Sequence, residues 1–268
     1  MVGAVAGTSG DWSDRYGPWA AIAGASEGLG AAFAEALAAR GLNLLLMARR
    51  AEVLADVASR IEAQHGVETR CLAIDMGDPE LGPALDEASS GLELGLLVYN
   101  AAFAPVGSFL DLPEASLSQV VDVNVRGPVL FVRRLAPALR ARGRGGVILM
   151  SSLSGLQGSP RIASYAASKA FNTTLGEGLW GELRGDGVDV LVSCAGAIRT
   201  PGYAGTSTRE APGTLDPEVV VSRTLDALGR GPRVVPGWMN GLAALLTGRL
   251  LSRRMAIRLM AANTKDLT

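Results

Sequence analysis

Tyr165 and Lys169 stand four residues apart in the run Ser164-Tyr165-Ala166-Ala167-Ser168-Lys169, and Ser152 precedes the tyrosine by thirteen positions. On a helix, residues four apart share a face, with Cβ atoms about 5–6 Å apart. A phenol ordinarily titrates at roughly pH 10, too high for ready proton transfer near neutrality, and a neighbouring ammonium favours its charged form. The pair is thus suited to acid/base work, provided that a substrate and a redox partner reach it.

A place for such a partner lies early in the chain. A short apolar run at residues 19–23 leads into Gly24-Ala25-Ser26-Glu27-Gly28-Leu29-Gly30, and an alanine-rich helix is predicted over 31–40. Glycines at a strand-to-helix turn let the backbone approach a pyrophosphate, while the helix N-terminus supplies free N–H groups and a positive dipole end. The next strand ends Leu46-Met47-Ala48-Arg49-Arg50. An acid at that end would bind the ribose 2′-hydroxyl of NAD. Ala48 stands there instead and Arg49 and Arg50 follow, which favours a 2′-phosphate and therefore NADP(H). Glu27 is the contrary sign, and a solvated basic turn is the plainer alternative.

The elements that position these residues alternate along the chain. Strands are predicted at 42–48, 69–74, 94–99, 147–151, 188–194 and 233–235, in addition to 19–23. Helices are predicted at 51–64, 116–142, 163–184 and 216–229, in addition to 31–40. Apolar strands alternating with helices indicate an α/β domain, a doubly wound parallel sheet of about seven strands covered on both faces. No linker divides the 268 residues, so one domain is expected over 1–268. Residues 1–16 would be an N-terminal extension. The Gly-, Ser-, Thr- and Pro-rich stretch at 200–217 would be a substrate lid. Residues 240–268 would form a helical segment carrying Arg249, Arg253, Arg254 and Arg258, packed on the domain or on a second subunit, with membrane contact the less favoured option.

Composition narrows the function. Apolar residues make up 48% of the chain and the net charge is -1, which gives no electrostatic reason to expect nucleic acid. Cys71 and Cys194 are isolated in apolar runs and read as reduced, buried thiols. With His65 the only histidine, a dedicated zinc site and a Ser-His-Asp triad both lack parts. The N-terminus has no basic segment followed by an apolar core, and a cytoplasmic location is expected.

Taken together, these motifs resemble the short-chain dehydrogenase/reductase family over about residues 17–238. Gly24, Gly28 and Gly30 match its glycine turn. Asp75, in Ile74-Asp75-Met76, matches the aspartate placed near the adenine. Asn100-Ala101-Ala102 resembles the family's Asn-Asn-Ala-Gly run, with Tyr99 in place of the first asparagine and Ala102 in place of the glycine. Asn124, Ser152, Tyr165 and Lys169 match the catalytic set. Ala195-Gly196-Ala197-Ile198-Arg199-Thr200 resembles the Pro-Gly-x-Ile-x-Thr run, with Ile198 and Thr200 at positions that hold the nicotinamide carboxamide.

The resemblance implies hydride transfer between NADP(H) and a carbonyl or carbinol carbon. Tyr165 would act as general acid/base and Ser152 would stabilise the developing oxyanion. Lys169 would lower the phenol's pKa and bind the nicotinamide ribose, and Asn124 would hold a water linking Lys169 to solvent. Phe103, Leu153, Leu156, Tyr203 and Trp238 are expected to face the substrate, which points to a hydrophobic ketone or alcohol. Gly176, Gly178 and Gly181 within one helix suggest a close helix contact, and the resemblance implies a homodimer or homotetramer. Other readings are an epimerase or dehydratase of the same family, a nucleotide-binding scaffold without turnover, and a peripheral membrane-associated lipid or steroid reductase.

Overall fold

The computed structural model describes residues 9–205, 210–265 and 267. The sheet has seven parallel strands in the order β3-β2-β1-β4-β5-β6-β7: β1 (Trp19–Ala23), β2 (Asn43–Ala48), β3 (Thr69–Ala73), β4 (Leu94–Tyr99), β5 (Gly145–Ser152), β6 (Val188–Ala195) and β7 (Arg233–Val234). Side chains alternate between its faces, so the apolar strands feed two cores. Ile22, Leu44, Leu46, Ile148 and Leu191 enter one, and Ala21, Leu45, Met47, Leu97 and Leu149 the other.

Helices α2 (Gly28–Ala38), α3 (Ala51–His65), α4 (Leu81–Ser89), α5 (Glu114–Val121), α6 (Gly127–Arg142), α7 (Ala163–Leu183) and α9 (Pro217–Ala227) cover the sheet. The order reverses direction beside β1, between β2 and β4. In open α/β sheets, ligands bind outside the carboxyl ends of the strands at such a switch point. Before β1, α1 (Ser9–Tyr16) folds under the sheet, where Arg15 Nε and the Tyr16 hydroxyl both donate to Asp189 at 2.7 Å. The expected extension is therefore partly a folded element. After β6 come a short helix, α8 (Pro201–Ala204), and later α10 (Trp238–Leu245) and α11 (Arg253–Thr264).

The long helix expected over 116–142 is interrupted by a π-helical turn at Asp122–Arg126. Such wide turns inside α-helices concentrate at functional sites. The helix expected at the C-terminus is likewise broken, by a π turn at Leu246–Leu250 and a fresh start at Ser252, whose hydroxyl accepts from Met255 N. Three glycines of α7 also part company. A Cβ on Gly176 would sit 2.2 Å from Val192 Cγ2, so this glycine serves helix–sheet contact, while Gly178 and Gly181 face open space.

Candidate active site

The residues singled out above collect at and just beyond the carboxyl ends of β1, β4, β5 and β6. The glycine turn is tight. Gly24 has φ +81° and Gly28 φ +54°, and a Cβ on Gly30 would fall 1.8 Å from the Gly24 carbonyl oxygen. Gly24 also presses on Ala101, and Asn100 Nδ2 donates to the Gly24 carbonyl at 3.0 Å. Glu27, at the start of α2, makes no side-chain cap, so the first N–H groups of the helix have no side-chain acceptor there. Ser26 and Leu29 lie in the same turn. A turn without room for side chains, ahead of uncapped helix N–H groups, fits a dinucleotide's pyrophosphate.

Thr200 packs over Gly28, whose added Cβ would meet its Cγ2 at 3.0 Å. Ile198 pairs with Leu215 across an isolated parallel bridge, so the return of the 200–217 stretch is stitched to the segment bearing Ile198 and Thr200. Asp75 Oδ1 accepts from Gly77 N at 2.8 Å, and Met76 is buried beside it. Ala102 is exposed at the rim. The arginines that end β2 already have carboxylate neighbours: Arg50 pairs with Glu27 at 2.6 Å, and Arg49 lies 3.8 Å from Asp75. Both are exposed pairs of the kind that contribute little and exchange readily.

The polar set sits deeper. Ser152 ends β5 and caps the 3-10 turn Leu153–Leu156, accepting from Ser154 N at 3.2 Å and from the Ser154 hydroxyl at 2.9 Å. Accepting twice leaves the Ser152 proton for another oxygen. Tyr165 and Lys169 lie on α7, with Lys169 Nζ 5.5 Å from the tyrosine ring centroid. Lys169 is 3% exposed and donates to the Met150 carbonyl at 3.0 Å. Its pKa is pushed down to about 8 by burial.

Burial pushes the Tyr165 phenol up, opposed by a hydrogen bond with Ser152. Desolvation of the phenolate outweighs the neighbouring hydrogen bond. The raised phenol stays protonated near neutrality, the form a proton donor requires.

Asn124 is fully buried in the π turn. Its Oδ1 accepts from Phe103 N, and its Nδ2 donates to Phe103 O and to the Ser168 hydroxyl, at 2.8, 2.8 and 3.0 Å. Ser168 in turn donates to the Tyr165 carbonyl at 2.7 Å. Both amide protons are thereby used. The side chain ties the loop after β4 to α7.

Tyr99 was legible only as a departure from a motif. It is buried, and its hydroxyl donates to the Val123 carbonyl at 2.5 Å, next to Asn124 in the π turn. Gly127 makes the room, since a Cβ there would collide with the Tyr99 oxygen. Arg126 pins the same turn from outside by donating to the Gly77 and Asp78 carbonyls. Tyr99→Phe removes one donor from a buried carbonyl and should cost about 1–3 kcal/mol of stability. Turnover should fall roughly tenfold, a loss of the size a misplaced supporting contact produces, with cofactor affinity unchanged. Thermal melts and steady-state kinetics check both.

Of the expected substrate-facing side chains, Leu153 and Leu156 line the turn beside Ser152, and Phe103 is held by Asn124. The Tyr203 hydroxyl accepts from Ala211 N at 3.0 Å. Trp238 is 80% exposed. The loop after β4 exposes Phe109 and Leu110, and its Gly107 N–H donates to the Arg161 carbonyl just before α7.

Residues 18–211 match the short chain dehydrogenase family. This chain belongs to that family. Among short-chain dehydrogenases it is 34% identical, over 85% of its length and 89% of the relative's, to a 7β-hydroxysteroid dehydrogenase of Collinsella aerofaciens. A structure solved to explain 7β-hydroxysteroid dehydrogenase stereoselectivity superposes with a TM-score of 0.87 at 31% identity, covering 93% of this chain and 98% of that one. A Sphingobium yanoikuyae short-chain dehydrogenase in complex with NADPH gives a TM-score of 0.74 at 28% identity, covering 82% and 87%. Like them, this short-chain dehydrogenase is an NAD(P)-type oxidoreductase in which a Rossmann-type sheet of order 3-2-1-4-5-6-7 carries the site.

Proposed function

We propose that the protein interconverts a bulky hydrophobic ketone and its secondary alcohol with NADP(H), Tyr165 acting as the general acid/base. The observation that carries this reading is the cluster of Ser152 and Tyr165, both partly exposed, with the buried Lys169, beside the apolar turn of Leu153 and Leu156. When bound, the nicotinamide supplies or takes the hydride. The Ser152 hydroxyl donates to the carbonyl oxygen as charge develops there. The Tyr165 hydroxyl transfers its proton to that oxygen in reduction and recovers it in oxidation. Lys169 keeps a positive charge beneath the phenol below about pH 8, and Asn124, through Phe103 and Ser168, holds the walls in register.

The hydroxysteroid dehydrogenase relatives support a steroid-sized substrate, and the apolar side chains of Leu153 and Leu156 beside Ser152 suit it. A 7-oxosteroid is the first compound to test, beside aliphatic and aromatic ketones. Turnover of small carboxylate-bearing or phosphorylated ketones in preference to all of these would refute the substrate assignment.

NADP preference rests on Ala48, Arg49 and Arg50. The pairing of Arg50 with Glu27 ranks the two arginines. Arg49→Ala should raise KM for NADPH about tenfold or more, the scale of a charge-assisted phosphate contact, and leave KM for NADH unchanged. Arg50→Ala should have the smaller effect. A wide preference of the wild-type protein for NADH would remove this part of the reading.

The open face of α7 favours self-association. Gly178 lines a shallow groove of about 250 Å³ with Phe171, Leu175 and Leu179, and a Cβ on Gly178 would meet nothing. A homodimer or homotetramer formed there would show a mass above that of the 27.6 kDa chain in light scattering, reduced by Gly178→Glu.

A further inference from the structure

Fourteen large apolar side chains are exposed among the described residues, and nine of them lie between Trp238 and Leu259. On α10 and the π turn after it, Trp238, Leu242, Leu245, Leu246 and Leu250 recur at helical spacing and all face solvent. On α11, Met255, Ile257 and Leu259 are exposed as well, and only Ala256 and Thr264 are buried. The segment expected to pack on the domain thus turns much of its apolar surface outward. Contiguous exposed apolar surface on this scale marks a site of contact.

The charge on the same segment narrows what it contacts. From Trp238 to Lys265 the sequence contains Arg249, Arg253, Arg254, Arg258 and Lys265 and no Asp or Glu. The stretch beneath it, residues 153–162, adds Arg161 and no carboxylate. Arg253 donates to the Leu156 carbonyl and Arg161 to the Leu267 carbonyl, so the segment is fastened beside the 3-10 turn that follows Ser152. A second copy meeting this face with the same face would set arginines against arginines, with Asp266 the one acidic residue in the sequence from Trp238 onward. No helix among the described residues is long and apolar enough to cross a bilayer.

We propose that the outer face of α10 and α11 docks on an anionic phospholipid surface, with the leucines and Trp238 entering the headgroup boundary and Arg249, Arg254 and Arg258 meeting phosphates. Docking would set the mouth beside Leu153 and Leu156 against the layer in which hydrophobic ketones dissolve. This inference stands on the surface alone and survives any revision of the substrate.

The test is co-sedimentation of the full chain with vesicles of phosphatidylcholine alone or of phosphatidylcholine mixed with phosphatidylglycerol, at low and high salt. Pelleting is expected with the mixed vesicles at low salt and should fall as salt rises. The triple variant Arg249→Gln/Arg254→Gln/Arg258→Gln alters only exposed side chains. It should weaken binding about a hundredfold and keep wild-type turnover of a water-soluble ketone. Leu242→Ser/Leu245→Ser should weaken it as well without changing the mass in solution. Absence of pelleting at low salt, equal pelleting by the triple variant, or a fall in solution mass with the leucine pair would overturn the proposal. The last result would assign the face to a second copy.

Discussion

Tyr165→Phe is expected to lower kcat for ketone reduction by about 10²–10⁴-fold, the range that a positioned general acid contributes. The substitution deletes one oxygen and keeps the ring against Lys169, so the fold and the glycine turn at Gly24–Gly30 are untouched. Cofactor affinity should therefore stay within about twofold. The raised pKa of the phenol gives the effect a direction. Tyr165 is protonated across the neutral range, so reduction proceeds without a prior protonation step, while oxidation of the alcohol must first find the phenolate and should rise with pH. Single-turnover kinetics with saturating NADPH separate the chemical loss from any change in binding. A variant with wild-type single-turnover rate would remove Tyr165 from the chemistry.

Lys169→Met should give the second large effect, with activity and stability moving in opposite senses. The folded-state pKa, about 8, lies below the ordinary value of 10.5, and burial is the main cause. Between those two values the unfolded chain holds a proton that the folded chain has released, so the wild type gains stability as pH rises through this window. Below about pH 8 both states hold the proton and the full penalty, up to about 3 kcal/mol, opposes folding. Methionine fills a similar volume without charge. It forfeits the hydrogen bond to Met150 O, a loss of about 1 kcal/mol. The variant should thus be more stable at pH 7 by about 1–2 kcal/mol, with the gain shrinking above pH 8. Ketone reduction should fall by about a hundredfold or more as the positive charge is lost. Thermal melts at pH 7 and pH 10 check the sign, and a less stable variant at pH 7 would show that Lys169 holds the fold. Stability surrendered for a working charge is the trade-off expected of an active site.

Much of this site was legible before the fold because its parts obey local rules. The glycine turn follows from an apolar strand meeting an alanine-rich helix, and the Tyr165–Lys169 pair follows from helical periodicity. What escaped depends on partners distant in sequence. Tyr99 looked like a loss until Gly127 and the π turn supplied space and a carbonyl for its hydroxyl. No periodicity marks that turn, because a wide turn changes which carbonyl an N–H reaches and leaves the residue pattern alone.

Helix α4 was passed over because Gly82 and Pro83 sit in its first turn, where proline is tolerated although it reads as a breaker. Ser252 is the reverse case. A serine before Arg253 is a helix-start signal, and heeding it would have divided the C-terminal segment where the structure divides it. For the phenol, proximity of Lys169 was visible in the sequence, and the burial that sets the direction of both pKa shifts was not.

The proposed reaction carries a hydride from a reduced nicotinamide to a hydrophobic ketone, with Tyr165 completing the alcohol. The most direct measurement uses NADPH deuterated at C4, a 7-oxosteroid and the bulky ketones tested beside it, followed by mass spectrometry of the product. An alcohol bearing one deuterium at the carbinol carbon is expected with the wild type, and a trace at most with Tyr165→Phe. Failure to transfer deuterium to any of these ketones, or equal transfer by the two proteins, would contradict it.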